Sequence, residues 1–91
     1  MNLSQILIEY GVTPDDLHPD CKFIAQDGDD CLLVEYVKKP ELMINCLVYS
    51  WVGMAPRMMM PCVVNLADDW KTPLSREQFI ADYEAHCAKR P

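Results

Sequence analysis

Apolar and polar positions along this chain fall into six patterned segments, separated by proline, glycine or clustered aspartate. The first is helical: Leu3, Ile6, Leu7 and Tyr10 recur at i, i+3, i+4 and i+7, the spacing of one helix face. Ser4 stands where a cap is expected for a short helix over residues 5–10, and Gly11 follows in the C′ position. Thr13-Pro14-Asp15-Asp16 reads as a second start, with proline at the first helical position and carboxylates at the positive end of the peptide dipoles. Pro19 holds it to one turn.

Period-2 alternation follows. Residues 21–26 and 31–37 flank Asp27-Gly28-Asp29-Asp30, a hairpin with Asp-Gly at its turn. Cys21, Phe23 and Ala25 with Leu32, Val34 and Tyr36 give an apolar face, and the opposite face, with Lys22, Gln26 and Glu35, is mixed. A sheet covered on one side has this signature. Residues 42–52, LMINCLVYSWV, carry no charge and only Asn45 and Ser50 as polar interruptions. The run predicts a strand buried on both faces at the centre of the sheet, and it is shorter than the roughly 20 apolar residues that span a bilayer. Residues 57–66 read as a fourth strand. Pro61 cannot donate to a ladder, so this strand is predicted at an edge or with a bulge.

The last segment is the clearest helix. Ser75-Arg76-Glu77-Gln78 fits a capping box, and Phe79, Tyr83, His86 and Cys87 fall on one stripe, broadened by Ile80. The predicted fold is a single α+β domain over residues 1–91, in the order α-β-β-β-β-α. It is an antiparallel sheet of about four strands, a β-meander, flanked by a short N-terminal and a longer C-terminal helix.

Charge changes this picture more than composition does. The net −6 is unevenly spread: residues 1–36 hold eight acids against one base, net −7, and residues 37–91 are net +1. Such asymmetry bears on partners rather than on fold. The cysteines, Cys21, Cys31, Cys46, Cys62 and Cys87, are odd in number and form no C-x-x-C, which fits a reduced compartment. No basic stretch precedes an apolar one at the N-terminus, so a cytoplasmic protein is expected.

Candidate chemistry is sparse. His18 and His86 are the histidines, and no nucleophile elbow or other catalytic signature accompanies them. His18-Pro-Asp-Cys21 has chelating spacing but lacks the second ligand pair of a structural zinc site. The Asp27-Gly28-Asp29-Asp30 turn lacks the alternating ligands and distant glutamate of a calcium loop. Three glycines in no phosphate-binding arrangement argue against nucleotides, and bases without a stripe argue against nucleic acid. The expectation is therefore a non-enzymatic protein-binding module without cofactor or metal. It would be an adaptor or inhibitor of the kind that phages and mobile elements carry. It would meet a basic surface on a host or cognate protein, such as one that otherwise holds nucleic acid, and it would not touch nucleic acid or membrane itself. Asp15, Asp16, Asp20, Asp27, Asp29 and Asp30 are the candidate contacts. Met58 and Met59 join them, because Met54, Met58, Met59 and Met60 cluster beside the proline flaw and methionine adapts to changing partners. The alternatives are a structural homodimer subunit and a small metal-binding protein built on His18 and Cys21.

Overall fold

In a computed structural model, which describes residues 1–28, 31–44, 49–53, 57–60 and 65–89 (43–44, 49–52 and 57–60 by their backbone alone), the hairpin forms where alternation predicts it. Strand β1 (Phe23–Gln26) pairs antiparallel with β2 (Leu33–Tyr36), Phe23 opposite Tyr36 and Gln26 opposite Leu33. The connection closes with the Asp27 N–H donating to Leu32 O at 2.9 Å and the Cys31 N–H to Asp27 O at 3.0 Å. Among its described residues the left-handed one is Cys31, at φ 61°, and not the glycine of the Asp-Gly pair. Gly28 has a different role: a Cβ there would fall 2.5 Å from Cη2 of Trp70, whose ring lies against the turn.

The rest of the sheet departs from a meander. Residues 42–52 do not form one central strand. They divide into β3 (Glu41–Ile44) and β4 (Tyr49–Val52), which pair with each other, Leu42 opposite Trp51 and Ile44 opposite Tyr49. One strand of eleven residues would reach about 36 Å, against about 13 Å for the four-residue strands beside it. Most of its backbone groups would then find no ladder partner, whereas folding back satisfies them. The fourth predicted strand begins as expected in β5 (Arg57–Met60) and pairs with β2. Pro61, on which the expectation of an edge or a bulge rests, lies outside the described residues. β5 ends the sheet, and its register with β2 shifts between Leu33 and Val34. A two-residue β6 (Leu74–Ser75), which no pattern marked, pairs with β1, giving the sheet order β5-β2-β1-β6.

Both sheet faces are covered, again unlike the expectation. On one side Ala25 and Tyr36 are buried with Phe23, Val34 and Leu42 of the β3–β4 hairpin. On the other lie helices α1 (Leu3–Glu9) and α2 (Arg76–Ala88). Leu3, Ile6, Leu7 and Phe79 meet Ile24 and Leu33 there to form the main core. The mixed face of the hairpin is thus the one that faces the helices, so Gln26 and Glu35 are fully buried.

Helix termini follow their sequence signals with two corrections, one of them at α2, where the Gln78 side chain donates to Asp82 Oδ1 at 2.8 Å and the predicted capping box is formed only by Ser75. The cap of α1 is Asn2, not Ser4: Asn2 Oδ1 accepts the Gln5 N–H at 2.9 Å while Gln5 Oε1 accepts the Asn2 N–H at 2.8 Å. Ser4 is buried inside the first turn and donates its hydroxyl to Asp82 of α2. At the other end Gly11, at φ +83°, lets Gly11 and Val12 donate to Ile8 O and Leu7 O, the double bond of a Schellman motif. Ser75 caps α2, its Oγ accepting the Gln78 N–H at 3.1 Å. Of the predicted α2 stripe, Phe79 alone is fully buried; Tyr83 and His86 are half-buried and Cys87 is exposed.

Candidate functional site

The acidic segment runs from Thr13 to Asp20. Pro14–Asp16 form a single 3₁₀ turn, shaped from its far end: the Asp16 carboxylate accepts the Thr13 N–H at 2.8 Å and the Thr13 hydroxyl at 3.1 Å. Leu17 then dips into the helix-side core, while Asp15, Asp16 and Asp20 remain exposed. Asp20 donates its N–H to His18 Nδ1 at 3.1 Å.

Beneath this segment lies a buried polar cluster. The Glu35 carboxylate, fully enclosed, accepts the His18 N–H at 2.6 Å and lies close enough to Cys21 to act on its acidity, while the Cys21 thiol donates to Phe23 O at 3.4 Å. From the other side Arg76 Nη1 donates to the carbonyls of His18 at 2.9 Å and Cys21 at 3.1 Å. A cation in the first turn of a helix opposes the helix dipole; here it is explained by the carbonyls it reaches. Between these two side chains the His18–Cys21 turn closes on itself, the Cys21 N–H donating to His18 O at 2.9 Å. Gln26 plays a parallel part further along the sheet. Its amide donates to Cys31 O and Asn65 O, and its oxygen accepts the Ala67 N–H. Neither residue was legible as internal, because a polar side chain on an alternating strand reads as solvent-facing. The signal available was that Ile24 and Leu33 share their face.

The remaining predicted contacts are dispersed. Asp27, half-buried, follows β1 whereas Asp20 precedes it, so the two acidic groups sit at opposite ends of that strand. Asp29 and Asp30 lie outside the described residues. Met58 and Met59 belong to edge strand β5, where the backbone is described.

A feature that the sequence did not mark is an open cleft of about 670 Å³ between α1 and α2. Ile8 and Ala85 give it an apolar part, and Gln5, Glu9, Asp82 and Lys89 a polar one. His86 borders both this cleft and a neighbouring hollow of about 140 Å³, which Thr13 and Tyr83 also line. The acidic segment and the cleft are therefore contiguous on the helical side.

The chemistry of Cys21 is that of an inert thiol. Burial first, and then the charge of Glu35, push it up to about 11, so near neutrality the thiol stays protonated. With His18 Nδ1 occupied by the Asp20 N–H, the chelating spacing of His18 and Cys21 is used for internal bonds. Among the described residues no three His, Cys, Asp or Glu side chains gather closely enough to hold a metal ion. No described helix is long and apolar enough to cross a membrane. Searches of protein-family profiles, characterised proteins and solved structures find no match to the chain.

Proposed function

We propose that the chain is a non-enzymatic, cytoplasmic protein-binding module, an adaptor or inhibitor of the phage or mobile-element kind. Its acidic helical side docks on a basic, nucleic-acid-binding surface of a host or cognate protein. The observation that supports this reading is the 13–20 segment. Its exposed carboxylates, Asp15, Asp16 and Asp20, stand on a turn held by Asp16, Glu35 and Arg76. A charge layout fixed before encounter orients a partner without an ordering cost on binding. The contiguous α1–α2 cleft offers room for a side chain or short segment of the same partner. A second reading, a homodimer through edge strand β5, draws on the place of β5 at the end of the sheet.

The test is capture of a partner from native lysate at low ionic strength, followed by salt elution and repetition with Asp15→Asn/Asp20→Asn. A partner released at moderate salt and lost with the double substitution is expected. One retained by the substituted chain at every salt concentration overturns the acidic-side reading. Self-association, abolished by a lysine in β5, would replace it with the dimer.

A further inference from the structure

We infer that Glu35 is an internal anchor that sets the conformation of the acidic segment, so partner binding depends on a side chain that no partner can touch. The functional part of this inference rests on the reading given above; the conformational part does not. Glu35 is on β2, in a sheet whose ladder with β1 holds the backbone in place. Its carboxylate is enclosed, accepts the His18 N–H at 2.6 Å and lies beside Cys21 of the same short turn. A carboxylate inside a core is unfavourable unless bonded, so this bond and the enclosure of Glu35 depend on each other. Arg76 completes the arrangement by holding the His18 and Cys21 carbonyls. Asp20 lies inside this turn, Leu17 adjoins it, and Asp15 and Asp16 precede Leu17 in the same 3₁₀ turn. Release of the His18 N–H therefore frees the His18–Cys21 turn, which carries Asp20 and joins the 3₁₀ turn of Asp15 and Asp16, while α1 and the β1–β2 ladder keep their own bonds.

Amide hydrogen exchange followed residue by residue tests this without any partner. Glu35→Met keeps the side-chain length and removes both acceptor oxygens. Protection at His18 and Cys21 should fall about tenfold or more, as expected for a lost bond to a charged acceptor, with Leu7 and Ile24 unchanged. Glu35→Gln retains an acceptor oxygen and should restore most of the protection at His18. Unchanged exchange at His18 in Glu35→Met, or an equal fall at Leu7 and Ile24, overturns the anchor. Should Glu35→Met fail to fold, Glu35→Gln is compared with wild type in its place, since a neutral oxygen accepts the His18 N–H less strongly than a carboxylate. Loosening confined to residues 17–21 supports the anchor, and wild-type protection there refutes it. Affinity for a lysine-rich peptide, measured on the same variants, separates the two levels. Loosening together with weaker binding supports both, whereas loosening without any effect on binding overturns the functional part and leaves the anchor standing.

Discussion

At the scale of single residues, three positions behave against their type. Cys31 takes the left-handed conformation that L side chains enter at a cost of about 1–2 kcal/mol, at φ 61°. Glycine takes it freely. Cys31→Gly should therefore raise stability by up to about 1 kcal/mol, seen as a higher urea midpoint at unchanged slope; a lower midpoint would mean that the half-buried Cys31 side chain contributes more by packing than its backbone loses. Glu35 and Gln26 are the converse case, polar residues enclosed because each has donors or acceptors to receive it. Burial also shapes the response to alkali. It is the main cause that lifts Cys21 from 9.0 to about 11 and Tyr36 from 10.0 to about 12, aided by the charges of Glu35 and Asp27 respectively. Both groups are neutral when protonated, so the unfolded chain releases their protons first. Their stabilising effect is complete below the unfolded values and is lost as pH rises through the folded ones. Unfolding midpoints should thus hold to pH 9 and fall from there towards pH 12, and Cys21→Ala should flatten the portion between pH 9 and 11. A midpoint that begins to fall well below pH 9 would show other groups in control.

At the scale of elements, local signals were legible where chain neighbours decide the outcome. The Ser75 cap, the Gly11 terminus and the one-turn helix at Pro14 depend on close chain neighbours, the β1–β2 hairpin on pairs from Gln26–Leu33 to Phe23–Tyr36, and all stand where the sequence indicates. Ser75→Ala should cost about 0.5–2 kcal/mol, measured by chemical denaturation, since the bond to the Gln78 N–H is formed. No change in midpoint would mean that the Arg76 contacts suffice to start α2. What the pattern did not show was how elements combine. A run apolar throughout, such as 42–52, does not reveal where it doubles back, because no change of period marks the reversal. Nor does alternation tell which face lies under helices. The mixed face was enclosed because α1 and α2 bring Leu3, Leu7 and Phe79 to Ile24 and Leu33, and the acidic anchor beneath the 13–20 segment follows from that choice.

At the scale of the whole molecule, the charge asymmetry of the sequence becomes spatial. Glu9, Asp15, Asp16 and Asp20 belong to the first twenty residues, which contain no lysine or arginine, and lie with the helical layer. Lys38 and Lys39 are in the connection to the β3–β4 hairpin on the opposite face, and Arg57 opens edge strand β5. A basic partner would thus be drawn towards one side and repelled from the other, which governs encounter more than residence. The sequence presented six aspartates as one candidate surface; the structure separates Asp20 from Asp27 by the length of β1, about 13 Å. That exceeds the screening length of about 8 Å at physiological ionic strength, so the two groups should act independently. Asp15→Asn/Asp20→Asn, with Asp16 retained for its bond to Thr13, should slow association several-fold at low salt and flatten its salt dependence. Dissociation should change little. Asp27→Asn should leave the association rate at the wild-type value. Stopped-flow association at several ionic strengths decides the matter. Equal effects from the two ends would mean that overall charge attracts the partner, and rates indifferent to salt and to both substitutions would remove electrostatic docking altogether.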